Sequence, residues 1–174
     1  SLIASVCLAV CSIGLLHSQH FPTNAIPDSL TTGAHAVVRL SEQTLTVSSR
    51  SSLKLEVRKV VTILNQEGDP HGVFTAYYSA KQRVMGIRIA LYDKNGQPIR
   101  KVKADDIKDF AAYNEGTLAS DLRVKYWRPI SGSYPITIDM EYTVVFDGYL
   151  SMPAWTPVAS YATGVEQASY TIEG

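Results

Sequence analysis

An all-β fold, an antiparallel β-sandwich with one short helix, is what this sequence predicts. The leading observation is the run from Tyr134 to Phe146, where Tyr134, Ile136, Ile138, Met140, Tyr142, Val144 and Phe146 are all large and apolar. Thr137, Asp139, Glu141 and Thr143 stand between them. Successive side chains of a strand point to opposite faces, so the run buries one face and wets the other. The same alternation recurs more weakly elsewhere, in segments separated by short connections rich in Gly, Pro, Asn and Asp. About eight strands joined in this way, with a single helical spacing among them, describe a sandwich or open barrel.

In chain order, residues 1–16 (SLIASVCLAVCSIGLL) form an uncharged apolar run that meets polar His17, Ser18, Gln19 and His20. The run is short for a bilayer span and has the make-up of a secretory-signal core without its basic start. Residues 1–18 are therefore expected to be a signal peptide cleaved after Ser18, with a buried N-terminal helix or strand as the alternative. A lipoprotein signal is disfavoured, because bulky Val10 precedes Cys11. Cys7 and Cys11 are the two cysteines of the chain. On this expectation the mature protein has no disulfide, no thiol nucleophile, no thiolate metal ligand and no stable membrane span. Residues 19–35, with Pro22 and Pro27, are expected to be an extended leader, and 36–174 an incomplete sandwich domain whose last strand stops abruptly at Gly174.

Within that domain AVVRL at 36–40 starts the first strand. Next comes LKLEVRKVVTIL at 53–64, whose odd positions are apolar except for Lys59. Its even positions begin charged (Lys54, Glu56, Arg58) and end apolar (Val60, Leu64), so its outer face is expected to be covered at one end. Asn65–Gly72 is dense in turn formers and leads into a strand at 73–80. Val84–Tyr92 alternates and meets Asp93-Lys-Asn-Gly96, a hairpin signal because Asn and Gly tolerate positive φ. A strict two-residue loop would pair Ile99 with Tyr92 and set Arg100 opposite Leu91, so a bulge or longer loop is expected. Ala104–Tyr113 is the helix candidate: Ile107, Phe110 and Ala111 fall at i, i+3 and i+4, and Asp105 and Asp106 suit a helix N-terminus. Leu122–Trp127 and the long strand follow. A loop carrying Pro153, Trp155 and Pro157 then leads to a last strand at 165–172.

The chain is 174 residues long, enough for one domain with a core. Sixteen basic side chains balance 16 acidic ones, so no net field draws the chain to nucleic acid or anionic membrane. Arg83, Arg88, Arg100, Lys101 and Lys103 form a local basic cluster around one hairpin. His20, His35 and His71 have no metal-ligand spacing and are read as ordinary histidines. Asp105, Asp106 and Asp109 are read as a solvated face with Lys101, Lys103 and Lys108 nearby. Asp139 and Glu141 are read as cross-strand partners of Lys or Arg. No Gly-x-Ser-x-Gly elbow or glycine-rich phosphate loop occurs. These residues supply no catalytic, cofactor or metal assignment. What remains is aromatic. Tyr78, Tyr126, Trp127, Trp155 and Tyr161 are candidate contacts for a sugar, peptide or protein partner, with Trp155 also a candidate plug for the end of the core. Tyr77 and Tyr78 must point to opposite faces, so only one of them can join such a platform.

Six stretches carry a further signal: VVTILNQEGD at 60–69, YDKNGQPI at 92–99, VKADDIKDF at 102–110, SDLRV at 120–124, YPITIDMEY at 134–142 and GYLSMPAW at 148–155. In order and spacing they resemble domain-of-unknown-function family 3857. That family is the β-rich N-terminal domain of bacterial envelope proteins, of Bacteroidetes type especially, in which a transglutaminase-like, papain-related domain commonly follows. The resemblance runs from about Ala36 to the end. It implies an exported, periplasmic or cell-envelope module without catalytic residues of its own, the Cys, His and Asp of the following domain lying beyond Gly174. The expected function is that of a non-catalytic accessory domain, which positions the downstream domain or contacts another envelope protein. The alternatives are a stand-alone glycan- or peptide-binding module and a hydrolase using surface carboxylates.

Overall fold

The computed structural model describes residues 21–112, 121–129, 132–148, 152–156 and 160–174. The expected signal segment with Cys7 and Cys11, the far end of the expected helix at Tyr113, and Pro157 lie outside the described residues. Among those described, the chain is all-β, as expected, and its strands form two sheets. They are β1 (Ala36–Ser49), β2 (Ser52–Ile63), β3 (Phe74–Tyr78), β4 (Gln82–Tyr92), β5 (Pro98–Lys101), β6 (Lys108–Ala111), β7 (Arg123–Trp127), β8 (Ile136–Asp147), β9 (Thr163–Val165) and β10 (Ala168–Glu173). The large sheet has the order β10-β1-β2-β8-β4-β5, with β9 also on β1; the small one is β3-β7-β6.

The long alternating run is β8, the strand between β2 and β4. Pairing sets Ala36–Ile63–Ile136 and Val38–Val61–Ile138–Leu91 side by side on the inner face. Phe74, Ala76 and Trp127 of the small sheet pack onto this face and complete the main core. Further along the same face a second cluster gathers Leu45, Leu53, Leu55, Val57 and Val144. Lys59, the exception in the apolar positions of β2, lies between Ser41 and Met140 on this inner face. Thr62 and Thr137, on the opposite face, are fully buried and share a hydroxyl hydrogen bond of 2.8 Å, which satisfies both.

Residues 21–35 differ from the extended leader expected. They hold a 3-10 turn at Thr23–Ala25 and a one-turn helix, α1 (Asp28–Thr31). The segment crosses the end of the sheet where Val37, Thr62 and Thr137 are buried. The Thr23 N–H donates to Lys94 O at 2.8 Å, Arg39 donates to Pro22 O at 3.2 Å, and Leu30 lies against Gly164. This is the cover that the apolar outer end of β2 required.

The helix expected at 104–113 is corrected. Residues Ala104–Asp106 make one 3-10 turn, and Lys108–Ala111 are β6, paired antiparallel to β7. Two apolar turns are too short to nucleate a stable helix, and the ladder to β7 offers the same residues backbone partners at once. The one α-helical turn among the described residues is α1. The last strand is also split. β9 and β10 run parallel to β1, not antiparallel as expected, and are separated at Glu166 and Gln167. There the β1 ladder skips Arg39, whose guanidinium pairs with Glu166.

The β4–β5 hairpin contains the irregularity its sequence implied. Leu91 pairs with Arg100 and Tyr92 with Pro98, leaving Ile99 bulged. Gly96 has φ +78°, and Asp93 Oδ1 accepts from the N–H groups of Asn95 and Gln97, both at 2.8 Å.

Candidate functional site

The small sheet decides where the aromatic side chains face. Pairing puts Thr75, Tyr126 and Lys108 in one row and Tyr77, Val124 and Phe110 in the next, and both rows point outward. Tyr77 is 58% exposed and Phe110 46%, while Val124 between them is 5% exposed because its neighbours flank it. The Phe110 and Tyr126 rings lie 6.2 Å apart and tilted. The result is a short aromatic platform on an open sheet face.

Tyr126 also lines a cleft of about 440 Å³ between the small sheet and the β4–β5 edge. Its walls include Ile99, Arg100, Lys108, Trp127 and Arg128. Arg100 is engaged by Asp106, which also accepts from the Lys103 N–H at 3.2 Å. These two bonds, the Arg100 one foremost, hold the Asp106 carboxyl below its ordinary range. Among the described residues Lys108 and Arg128 have no carboxylate partner, so the cleft mixes aromatic surface with free positive charge.

The opposite face of the small sheet begins with core residues Phe74, Trp127 and Ala76 and ends in a polar network. Tyr78 donates to Asp109 Oδ2 at 2.6 Å and accepts from Arg123 Nε at 2.9 Å. Lys125 donates to Asp109 at 2.8 Å, and its ammonium lies 5.4 Å from the Tyr78 ring centre. The Lys125 bond first, then those from Tyr78 and Arg123, bring the Asp109 carboxyl down to about 2. A carboxylate so held stays ionised at neutral pH and has no proton to give as a general acid.

The five aromatic positions singled out from sequence therefore do not form one site. Tyr126 and Trp127 share the cleft, although Trp127 is mostly core. Tyr78 belongs to the ionic network behind the platform. Trp155 stacks on Tyr170 at 5.6 Å, its indole nitrogen buried without a partner among the described residues, and Tyr161 is wholly exposed in the turn before β9. Tyr77 faces outward with Tyr126, as Tyr78 does not. The helix-like spacing of Phe110 to Ile107 conceals in the sequence its place on this strand face. On the outer face of the large sheet Arg58 holds Asp139 with two bonds, of 3.0 and 3.3 Å, and lies 3.4 Å from Glu141, which Arg88 also engages. No three His, Cys, Asp or Glu side chains converge as a metal would require among the described residues, and no helix there is long and apolar enough to cross a membrane.

The sequence profile of a family described as a domain of unknown function with solved structure (DUF3857) matches residues 49–173. No curated protein matches the chain. Among solved structures, a candidate protease from Parabacteroides distasonis superposes with a TM-score of 0.57 at 12% identity. The match covers 66% of this chain and 24% of that one. Identity so low speaks for the fold alone, and the chain spans about a quarter of that protein. Native yeast LTA4 hydrolase gives a TM-score of 0.31 at 12% identity over 80% of this chain and 18% of that one, a likeness that carries no argument.

Proposed function

This chain belongs to the DUF3857 family, a domain of unknown function, and from that premise we propose that it is a non-catalytic accessory domain acting through protein or peptide contact. The contact surface is the outer face of the small sheet, formed by Tyr77, Phe110 and Tyr126, with the adjoining cationic cleft. The observation that carries this reading is the pair Tyr77 and Phe110, exposed on either side of Val124 on a sheet face where burial would stabilise them. Aromatic side chains of this kind anchor interfaces through large area at small entropic cost.

On this reading the chain is exported to the cell envelope and lies N-terminal to a transglutaminase- or papain-like domain that it positions. The Parabacteroides candidate protease lends support, since there a fold of this kind occupies part of a much longer chain. A stand-alone glycan- or peptide-binding module is the second reading, favoured by the cleft, where Tyr126 and Trp127 meet Lys108 and Arg128. A hydrolase using Asp109, Asp139 or Glu141 draws less support, because each of these carboxylates is engaged by Arg or Lys.

Photo-crosslinking tests the reading. A photoreactive phenylalanine at position 77 or 110 is expected to give a discrete product in the cells that make the protein, either with another protein or with a downstream domain of the same chain. The same group at Met85, 55% exposed on the large sheet, is expected to give none. No product at 77 or 110 argues against the contact role. Peptide or glycoside hydrolysis by the isolated chain, lost on Asp139→Asn, would replace it with the hydrolase.

A further inference from the structure

We propose that the recess above Lys59 binds the carboxylate end of a peptide-like ligand, Lys59 pairing with the carboxylate and Gln43 accepting the neighbouring N–H. The recess holds about 250 Å³ over the inner face of β1, β2 and β8, against the start of β3 at Phe74 and Thr75. Lys59 and Gln43 stand on its floor, and His71, Thr156 and Thr163 form its rim.

Two unmet demands meet there. Lys59 has three N–H donors, and among the described residues its one acceptor is His71 O at a long 3.4 Å. No described carboxylate pairs with it. The Gln43 side-chain oxygen is buried without a partner among the described residues. An acceptor without a described partner, beside a cation with one long hydrogen bond and no described carboxylate, asks for a ligand that carries an anion and a donor close together. The end of a peptide does so, because its last amide nitrogen lies two bonds from the carboxylate carbon.

His71 contributes position rather than charge. Its Nε2 lies 3.2 Å from Thr163 Oγ1 and 3.3 Å from Ser160 Oγ, which ties the rim to the strand end at β9. Burial, and then the charge of Lys59, push its imidazole down from the ordinary value, which favours the neutral ring. Burial likewise pushes the Lys59 ammonium down. A bound carboxylate reverses that shift by favouring the charged form.

The proposal uses none of Tyr77, Phe110 or Tyr126, so its failure leaves the contact role of the outer face untouched. The test is an amide NMR titration of the isotope-labelled chain with acetate, N-acetylglycine, N-acetylglycinamide and inorganic phosphate. N-acetylglycine is expected to shift residues 41–43, 57–59 and 71–75 saturably at millimolar concentration, and acetate more weakly. N-acetylglycinamide and phosphate are expected not to saturate. Lys59→Met should weaken N-acetylglycine by about tenfold or more. Gln43→Leu should weaken it about fivefold, with little change for acetate. The spectrum of each variant reports directly whether it is folded. Equal binding of the glycinamide, preference for phosphate, or no saturable shift at these residues would overturn the proposal.

Discussion

The Lys59 amine is partly drawn out of water on the inner face of β2 without a described carboxylate partner, and burial lowers its pKa from an unfolded value near 10.5. A base whose folded pKa is depressed binds fewer protons folded than unfolded, so stability rises with pH between the folded value and 10.5. Lys59→Met is therefore expected to stabilise the chain by about 1 kcal/mol near neutral pH. Its advantage should shrink as the pH is raised toward the unfolded value. Urea midpoints at several pH values check both statements. Asp109 behaves oppositely. Its carboxyl falls to about 2, so the stability it contributes is present above its unfolded value near 3.8 and is lost as pH falls through 2. Because the group is near the surface, Asp109→Asn should cost less than about 1 kcal/mol at neutral pH. Acid titration should then show a smaller loss between these two pH values in the variant than in the parent.

At the scale of elements, the segment at 21–35 is part of the folded unit and not a leader to it. Leu30 O would lie 2.6 Å from a Cβ added at Gly164, and His35 O would lie 2.1 Å from one added at Gly68. Gly164→Ala is expected to lower stability by about 1–3 kcal/mol by forcing α1 off β9, and Gly68→Ala by a similar amount. Thermal and urea unfolding measure each. Elements set by local pattern were legible in the sequence, and those set by long-range contacts were not. The β8 alternation was clear because one face is core and the other carries Asp139 and Glu141. The Ile99 bulge was legible because the hairpin register failed by one residue. The β6 strand was not: over four residues, spacing cannot distinguish a helix from an edge strand, and its partner β7 lies more than ten residues away. The parallel seating of β9 and β10 is also a long-range choice, set where Arg39 leaves the β1 ladder to meet Glu166. The site was half legible. Tyr126 could be named from sequence, but whether Tyr77 or Tyr78 shared its face depended on the register of β3 against β7.

For the whole molecule, the large sheet spends its inner face on the core and its outer face on ion pairs and the crossing segment. Among the described residues the small sheet alone presents exposed aromatic residues on an open sheet face. Replacing Tyr77 and Phe110 together with serine should leave the fold intact, because both project away from the core, while abolishing partner contact. Circular dichroism and unfolding midpoints check the first part of that expectation. The contact itself is tested most directly by hydroxyl-radical footprinting of Tyr77, Phe110 and Tyr126, comparing the purified chain with the protein inside the cells that produce it, and with Met85 as the internal standard. Strong labelling of all three in the purified chain and protection of all three in cells, at unchanged Met85 labelling, is the predicted result. Equal labelling of the platform in both settings would contradict the account.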